Sequence, residues 1–196
     1  MNFPLGRKAR LAVLASGRGS NLASLIEAFP PGDPTAEVVL VISDKPGAAA
    51  LRRAEDAGVR AVHVPWPDRL SFEQQAQTLL EDARVDLVCL AGFMRLLSAR
   101  FVDDWEGRIL NVHPSLLPLH KGLNPHRQVL AEGVSQTGCS VHFVDSGMDT
   151  GKVVAQRSVP VLPGDTEETL AARVLPLEHA LYPEAVRLVL SGEVAP

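Results

Sequence analysis

The chain has 196 residues, of which 46% are hydrophobic and 21% charged, which suffices for one domain with its own core. Its 19 Lys and Arg against 23 Asp and Glu give a net charge of −4, so we expect no nucleic-acid partner. The sequence contains neither a membrane-length apolar run nor the apolar segment of a secretory signal, so we expect a cytoplasmic protein without a membrane partner.

Short apolar runs alternate with amphipathic stretches in the first half of the chain, the pattern of βαβ units on a mostly parallel sheet. Strands are predicted at residues 11–15, 38–42, 62–64 and 85–91. Between them, apolar residues at helical spacing follow the first strand, an Ala-rich helix ends at Gly58, and a third helix covers residues 71–83.

The second half predicts a strand at 108–112, a proline-punctuated loop at 114–118 and a helix near 126–131. Strands at 140–144 and 153–161 are separated by too few residues for a crossover helix, so an antiparallel hairpin is expected. Asp165 and Glu168 resemble the capping box of a long C-terminal helix. Pro176 and Pro183 lie inside that helix and are expected to kink or divide it.

A turn rich in glycine and serine, Ser16-Gly17-Arg18-Gly19-Ser20-Asn21, lies between the first strand and the first helix. Backbone N–H groups and the positive helix end favour an anion there. Leu22 stands where a dinucleotide fingerprint needs its third glycine, and no P-loop lysine follows. A turn that only caps the helix is the alternative, but its position after the first strand favours a phosphorylated small molecule.

Asn111 and His113 are two residues apart at the end of the fifth strand, so their side chains point to one face. An amide and an imidazolium can donate to one oxygen, which stabilises the oxyanion of acyl transfer. Asp149 lies in the connection between the predicted strands 140–144 and 153–161, and its negative charge is a candidate for setting the protonation of His113. Singly, His113 could cap a strand and Asp149 could serve a turn, but together the three predict transfer of a small acyl group.

Other catalytic classes find little support in the sequence. A Ser-His-Asp hydrolase is disfavoured, because no Gly-x-Ser-x-Gly elbow occurs. No metal site is expected either, because neither spacing nor partners suit one at the candidate ligands His113, His120, His126, His142, Cys89 and Cys139.

Six motifs in one order resemble the glycinamide ribonucleotide formyltransferase family of purine synthesis: residues 16–22 (SGRGSNL), 90–97 (LAGFMRLL), 111–118 (NVHPSLLP), 126–128 (HRQ), 141–144 (VHFV) and 178–183 (EHALYP). The resemblance implies a single-domain α/β formyltransferase fold, Rossmann-like, with a mostly parallel twisted sheet, a C-terminal antiparallel hairpin and helices on both faces. It places this domain at 10–191, after an N-terminal extension at 1–9 and before a tail at 192–196. It further implies 10-formyltetrahydrofolate as co-substrate, no metal, and a monomer or homodimer acting on small molecules.

The resemblance also implies roles for individual residues. The catalytic trio is Asn111, His113 and Asp149. The residues implied to bind phosphoribosylglycinamide are Gly19, Ser20, Asn21, Leu175, Pro176, Leu177 and Glu178. Those implied to bind folate are Arg69, Met94, Arg95, Leu96, Leu97, Asn111, Asp145, Ser146, Gly147, Met148 and Asp149. Residues 121–125 (KGLNP) and Lys152 depart from the commoner family pattern, and Pro176 is an unusual neighbour that could shift Glu178 through a kink.

Two other functions remain open. Relatives that share the Asn-x-His-Pro-Ser-Leu-Leu-Pro motif include methionyl-tRNA formyltransferase and formyltetrahydrofolate hydrolase, which carry further domains for which this chain has no room. The acidic balance also argues against a tRNA substrate. Hydrolysis of formylfolate without an acceptor is the enzymatic alternative. A sugar-phosphate-binding module that uses Asn111 and His113 only to hold a ligand is the non-catalytic one.

Overall fold

The alternating apolar runs form strands and helices in the predicted order. In the computed structural model, which describes residues 3–196, the elements are β1 (Ala9–Leu14), α1 (Ser20–Ala28), β2 (Ala36–Ser43), α2 (Ala49–Asp56), β3 (Arg60–His63), α3 (Arg69–Asp82), β4 (Leu87–Leu90), α4 (Ala99–Asp104), β5 (Ile109–His113), α5 (Pro125–Glu132), β6 (Gln136–Phe143), β7 (Val153–Pro160) and α6 (Glu167–Leu190). None of these helices is long and apolar enough to cross a membrane.

The strands form one seven-stranded sheet in the order β3-β2-β1-β4-β5-β6-β7. The first five strands run parallel, while β6 pairs antiparallel with both β5 and β7. The predicted α/β class and the antiparallel hairpin are therefore confirmed. Because the strand order reverses at β1, the carboxyl ends of β1, β4 and β5 form the crevice where ligands bind in open α/β sheets.

Helices cover both faces of the sheet, so the central strands are apolar on both sides. In β1, Leu11 and Val13 pack into a core cluster with α1, α2 and α6. Ala12 and Leu14 point the other way, into a cluster with α3 and α4. Tyr182 of α6 is fully buried and donates its hydroxyl to carbonyls of both β4 and β5, at 3.1 and 3.0 Å. It therefore bridges the two strands that carry the candidate site.

The C-terminal helix differs from its prediction in two respects. α6 is one continuous 24-residue helix that includes Pro176 and Pro183, so of the expected kink or division, the division is wrong. Buried residues from Leu170 to Leu190 pack its length against the sheet, and we attribute its continuity to this packing, which offsets the lost backbone hydrogen bonds. The predicted capping box is also wrong: Thr166 and Thr169 form it, while the carboxylate of Asp165 pairs with Arg173.

A short helix, α4, has no counterpart among the predicted elements. Its N-cap is Ser98, whose hydroxyl accepts the N–H of Phe101 at 3.2 Å. Glu73 of α3, which is buried, accepts from the backbone N–H and the hydroxyl of Ser98, both at 2.6 Å. A helix of this length presents too few turns for a periodic signal, and it depends on contacts from a distant helix.

Candidate active site

The glycine-rich turn requires a glycine at its end. Gly19 is the N-cap of α1 with a φ of 73°, and a Cβ there would lie 2.8 Å from Cα of Ala50 in α2. No side chain within residues 3–196 caps α1. Its first N–H groups are therefore available to an anion, as the sequence predicts.

Asn21, next along this turn, joins the loop to α6. Its Nδ2 donates to Oε2 of Glu178 at 2.8 Å, and both side chains are buried. Burial raises the pKa of Glu178, although the hydrogen bond from Asn21 opposes the rise. Oδ1 of Asn21 is buried without a hydrogen-bond partner within residues 3–196. Glu178 therefore reaches the loop despite Pro176.

The three preceding residues of α6 have different surroundings from Glu178. Leu175 is half-buried, and Leu177 packs against the core cluster that includes α1 and α2. Pro176 is exposed and lines a groove between α1 and α6 that also includes Ser20 of the glycine-rich loop. Of the four predicted α6 residues, Glu178 is the one that the structure joins to the glycine-rich loop by a hydrogen bond.

The three predicted catalytic residues meet at the end of β5. Nδ1 of His113 lies 3.4 Å from Oδ2 of Asp149. Nδ2 of Asn111 lies 3.3 Å from Nε2 of His142, which is itself 3.4 Å from Oδ1 of Asp149. The amide, the imidazole and the carboxylate thus form one cluster with a second imidazole.

Asp149 is held as a carboxylate by its surroundings. Burial raises its pKa, but hydrogen bonds from His142 and the Gly122 N–H, together with the nearby imidazoles of His113 and His142, outweigh burial and leave the pKa below its usual value. Gly122 donates its N–H to Oδ2 at 2.9 Å. Asp149 therefore carries its negative charge at neutral pH, beside two imidazoles.

Both ring nitrogens of His113 face acceptors. Nε2 donates to the carbonyl of His120 at 2.9 Å, and Nδ1 faces Asp149. An imidazolium has two N–H donors, so this arrangement suits the protonated ring. The 3.4 Å contact at Nδ1 is the looser of the two, which makes this nitrogen the one best able to turn toward a developing oxyanion.

His142 is a member of this cluster to which the sequence analysis assigned no catalytic role. Its Nδ1 donates to the carbonyl of Phe143 at 2.8 Å, which leaves Nε2 to face Asn111 and Asp149. The pairing of β5 with β6 places His142 directly opposite Asn111. The pairing register of β5 and β6 is what brings His142 to the site, and the sequence does not reveal this register. No group of residues within 3–196 has the arrangement of a metal site.

The segment after β4, predicted to bind folate, adjoins the glycine-rich turn. The N–H of Met94 donates to the hydroxyl of Ser16 at 3.0 Å. Met94 is 70% exposed and Leu96 56%, so apolar surface is open in this segment. Leu97 packs against the core on the side of α3 and α4.

Arg95 is fixed by two contacts that the sequence does not reveal. Its Nε donates to Oδ2 of the buried Asp44 at 2.8 Å, and its guanidinium carbon lies 5.1 Å from the ring centre of Trp66. Burial raises the pKa of Asp44, but hydrogen bonds from Ser16 and Arg95 and nearby positive charge lower it overall. Arg95 therefore neutralises a buried carboxylate at the end of β2.

The remaining predicted folate residues are exposed. Arg69 is the first residue of α3, and no ion pair or hydrogen bond of its side chain occurs within residues 3–196. In the loop before Asp149, Asp145 accepts from the N–H of Gly147 at 3.1 Å and from the hydroxyl of Thr150 at 2.6 Å. Residues 146–148 are exposed. The loop thus has internal hydrogen bonds.

Fold and site together define an α/β domain with a glycine-rich loop after β1 and an amide-imidazole-carboxylate cluster at the carboxyl end of β5. The sequence profile of a family described as formyl transferase matches residues 9–186. This chain belongs to the formyl transferase family.

Individual relatives agree with this assignment. Phosphoribosylglycinamide formyltransferase of Escherichia coli K12 is 41% identical over 94% of this chain and 88% of that protein. The trifunctional purine biosynthetic protein adenosine-3 of Bos taurus is 49% identical over 96% of this chain, which spans only 19% of that protein. The crystal structure of glycinamide ribonucleotide transformylase 1 from Symbiobacterium toebii has a TM-score of 0.91 and 45% identity, covering 95% of this chain and 90% of that one.

Proposed function

We propose that this chain transfers the formyl group of 10-formyltetrahydrofolate to the amine of 5′-phosphoribosylglycinamide, giving formylglycinamide ribonucleotide and tetrahydrofolate in purine synthesis. The names of its relatives from Escherichia coli and Symbiobacterium toebii support this reaction. The observation that carries the proposal is the cluster of Asn111, His113 and Asp149. It lies at the carboxyl end of β5, and the glycine-rich loop follows the carboxyl end of β1 on the same side of the parallel sheet.

In the proposed mechanism the amine nitrogen bonds to the formyl carbon, whose oxygen becomes an oxyanion. Asn111 and Nδ1 of His113 donate to that oxygen, and the carboxylate of Asp149 lies beside the imidazole and orients it. When the intermediate collapses, the bond from the formyl carbon to the folate nitrogen breaks, and the proton lost by the amine passes to that nitrogen. His113 must exchange its contact with Asp149 for the substrate oxygen, since both its ring nitrogens face protein acceptors without substrate.

The two substrates are assigned to opposite sides of this cluster. The uncapped start of α1, with Asn21 and Glu178, suits the phosphate and the polar body of the ribonucleotide. The exposed apolar side chains of Met94 and Leu96, with the 145–149 loop, suit the flat ring of the folate. Arg69 is assigned to the carboxylates of the folate tail. Its exposed guanidinium can form ion pairs with them without first giving up a protein partner.

We also propose that the catalytic domain spans residues 10–191, with an extension at 1–9 and a tail at 192–196. The match of the formyl transferase profile over residues 9–186 supports these bounds. A cytoplasmic monomer or homodimer without a nucleic-acid partner fits an enzyme of small molecules with a net charge of −4. Size-exclusion chromatography with light scattering tests the oligomeric state directly.

One assay tests the reaction. The protein is mixed with 10-formyltetrahydrofolate, with and without the ribonucleotide, and folate absorbance is followed. We expect turnover only when both are present. Turnover without the ribonucleotide would instead establish a hydrolase, and no turnover would leave a binding module.

The same assay tests the roles of individual residues. His113→Ala should lower kcat by about 10²–10⁴-fold and Asn111→Ala by about 10²–10³-fold with both substrates saturating. His63→Ala, on the exposed side of β3, is the matched control and should leave kcat unchanged. A His113→Ala variant with near-wild-type turnover would remove His113 from the mechanism.

A further inference from the structure

Residues 120–122 touch two members of the catalytic cluster through their backbone. The carbonyl of His120 accepts from Nε2 of His113 at 2.9 Å. The N–H of Gly122 donates to Oδ2 of Asp149, also at 2.9 Å. A shift of this segment would therefore turn the imidazole and move the carboxylate together.

This segment has a strained backbone. His120 has a φ of 53°, in the left-handed region that residues with a Cβ rarely adopt. Such a conformation persists only where surrounding contacts hold it. Hydrogen bonds hold the two neighbours of His120. The hydroxyl of Ser115 donates to the carbonyl of Leu119 at 2.6 Å, and Nε2 of Gln128 donates to the carbonyl of Lys121 at 2.9 Å.

The side chain of His120 supplies a third anchor. It is 4% exposed, and its Nε2 lies 3.0 Å from Oε2 of Glu132. Since a carboxylate only accepts, Nε2 of His120 is the donor of this bond. The buried ring therefore connects the strained segment to the end of α5.

Glu132 is placed where it does not help its own helix. It is the last residue of α5, and a carboxylate at a helix C-terminus is opposed by the helix dipole. Within residues 3–196, its side chain has a single polar contact, the one with His120. The favourable contribution of Glu132 thus comes from His120 and not from α5.

We propose that His120 and Glu132 are positioning residues for the catalytic cluster. Their contact holds residues 120–122 in place, and the backbone of that segment sets the orientation of His113 and Asp149. The chain of contacts runs from α5 through Glu132 and the His120 ring to the His120 carbonyl, and from there to Nε2 of His113. The consequence for turnover rests on the proposed function, whereas the consequence for the His113 ring does not.

Kinetics of Glu132→Ala give the first test. We expect kcat to fall about five- to tenfold, below the roughly 10²-fold that a 1 Å misplacement can cost. The KM for the ribonucleotide should change less than twofold, because Asn21 and Glu178 are untouched. Glu132→Gln should recover most of kcat, since an amide oxygen still accepts from Nε2. Glu55→Ala, in the last turn of α2, removes an exposed carboxylate without a side-chain partner in residues 3–196 and should leave kcat unchanged.

A second variant approaches the same contact from the other side. His120→Asn keeps a residue type that tolerates a positive φ but removes the ring that reaches Glu132. Its kcat should fall about as far as that of Glu132→Ala. The double variant should lose no more than either single one, because both remove one interaction. Fully additive losses would contradict a shared contact and overturn the proposal.

The ring of His113 provides a readout that does not depend on activity. In ¹⁵N NMR spectra of the full chain, the ring-nitrogen signals of His113 should shift in Glu132→Ala and stay unchanged in Glu55→Ala. If Glu132→Ala lowers the melting temperature but leaves both kcat and these signals at wild-type values, the contact is merely structural and the proposal is wrong. If the wild-type protein transfers no formyl group, the proposed function fails, and the NMR comparison alone decides this inference.

Discussion

Replacing Gly19 with alanine should destabilise the protein and damage the glycine-rich loop. The added Cβ would lie 2.8 Å from Cα and 2.9 Å from Cβ of Ala50, and these atoms belong to the first turns of α2 and cannot rotate away. The φ of 73° adds a cost of about 1–2 kcal/mol for a left-handed alanine, and overpacking of this kind costs about 1–3 kcal/mol. Together they predict a loss of about 2–5 kcal/mol, or about 4–20 °C in melting temperature for a domain of this size.

Gly17→Ala is the matched control within the same turn. A Cβ at Gly17 would meet nothing within 4 Å, so the stability should change by less than about 0.5 kcal/mol. Thermal unfolding followed by circular dichroism measures both variants, and the KM for the ribonucleotide should rise for Gly19→Ala only. Equal melting temperatures for the two variants would refute the claim that α2 packs directly on this glycine.

Three further changes test other parts of the structure. Tyr182→Phe removes the hydroxyl that bridges β4 and β5 and should cost about 1–2 kcal/mol in urea unfolding, whereas no loss would mean that the bridge is unimportant. Burial raises the pKa of Glu178, so the folded state loses stability as pH rises through that pKa; the stability advantage of Glu178→Gln should grow as pH rises above about 4, and a difference that stays constant with pH would contradict this. Burial raises the pKa of Cys89 and of Cys139 to about 12, so neither thiol should react with iodoacetamide at pH 8 until the protein unfolds, and rapid labelling of the native protein would argue against their burial.

The sequence alone determined which local elements form and which residues a single element brings together. The alternation of apolar runs predicted the parallel half of the sheet and the hairpin of β6 and β7. The two-residue spacing of Asn111 and His113 sufficed to place them on one face of β5, because a strand has a period of two. Gly19 at the start of α1 could likewise be located from its place between a strand and a helix.

The tertiary structure decided what depends on residues far apart in the chain. His142 joins the cluster because β6 pairs with β5 in a register that sets it opposite Asn111. α6 continues through two prolines because long-range packing outweighs a local preference, and the start of α4 is held by the hydrogen bonds from its N-cap, Ser98, to the distant Glu73. The connection from Glu132 to His113 runs through the backbone carbonyl of His120, whose position cannot be predicted from a pattern of side chains. Local preferences are written in neighbouring residues, whereas register, packing and backbone contacts arise only when the whole chain is folded.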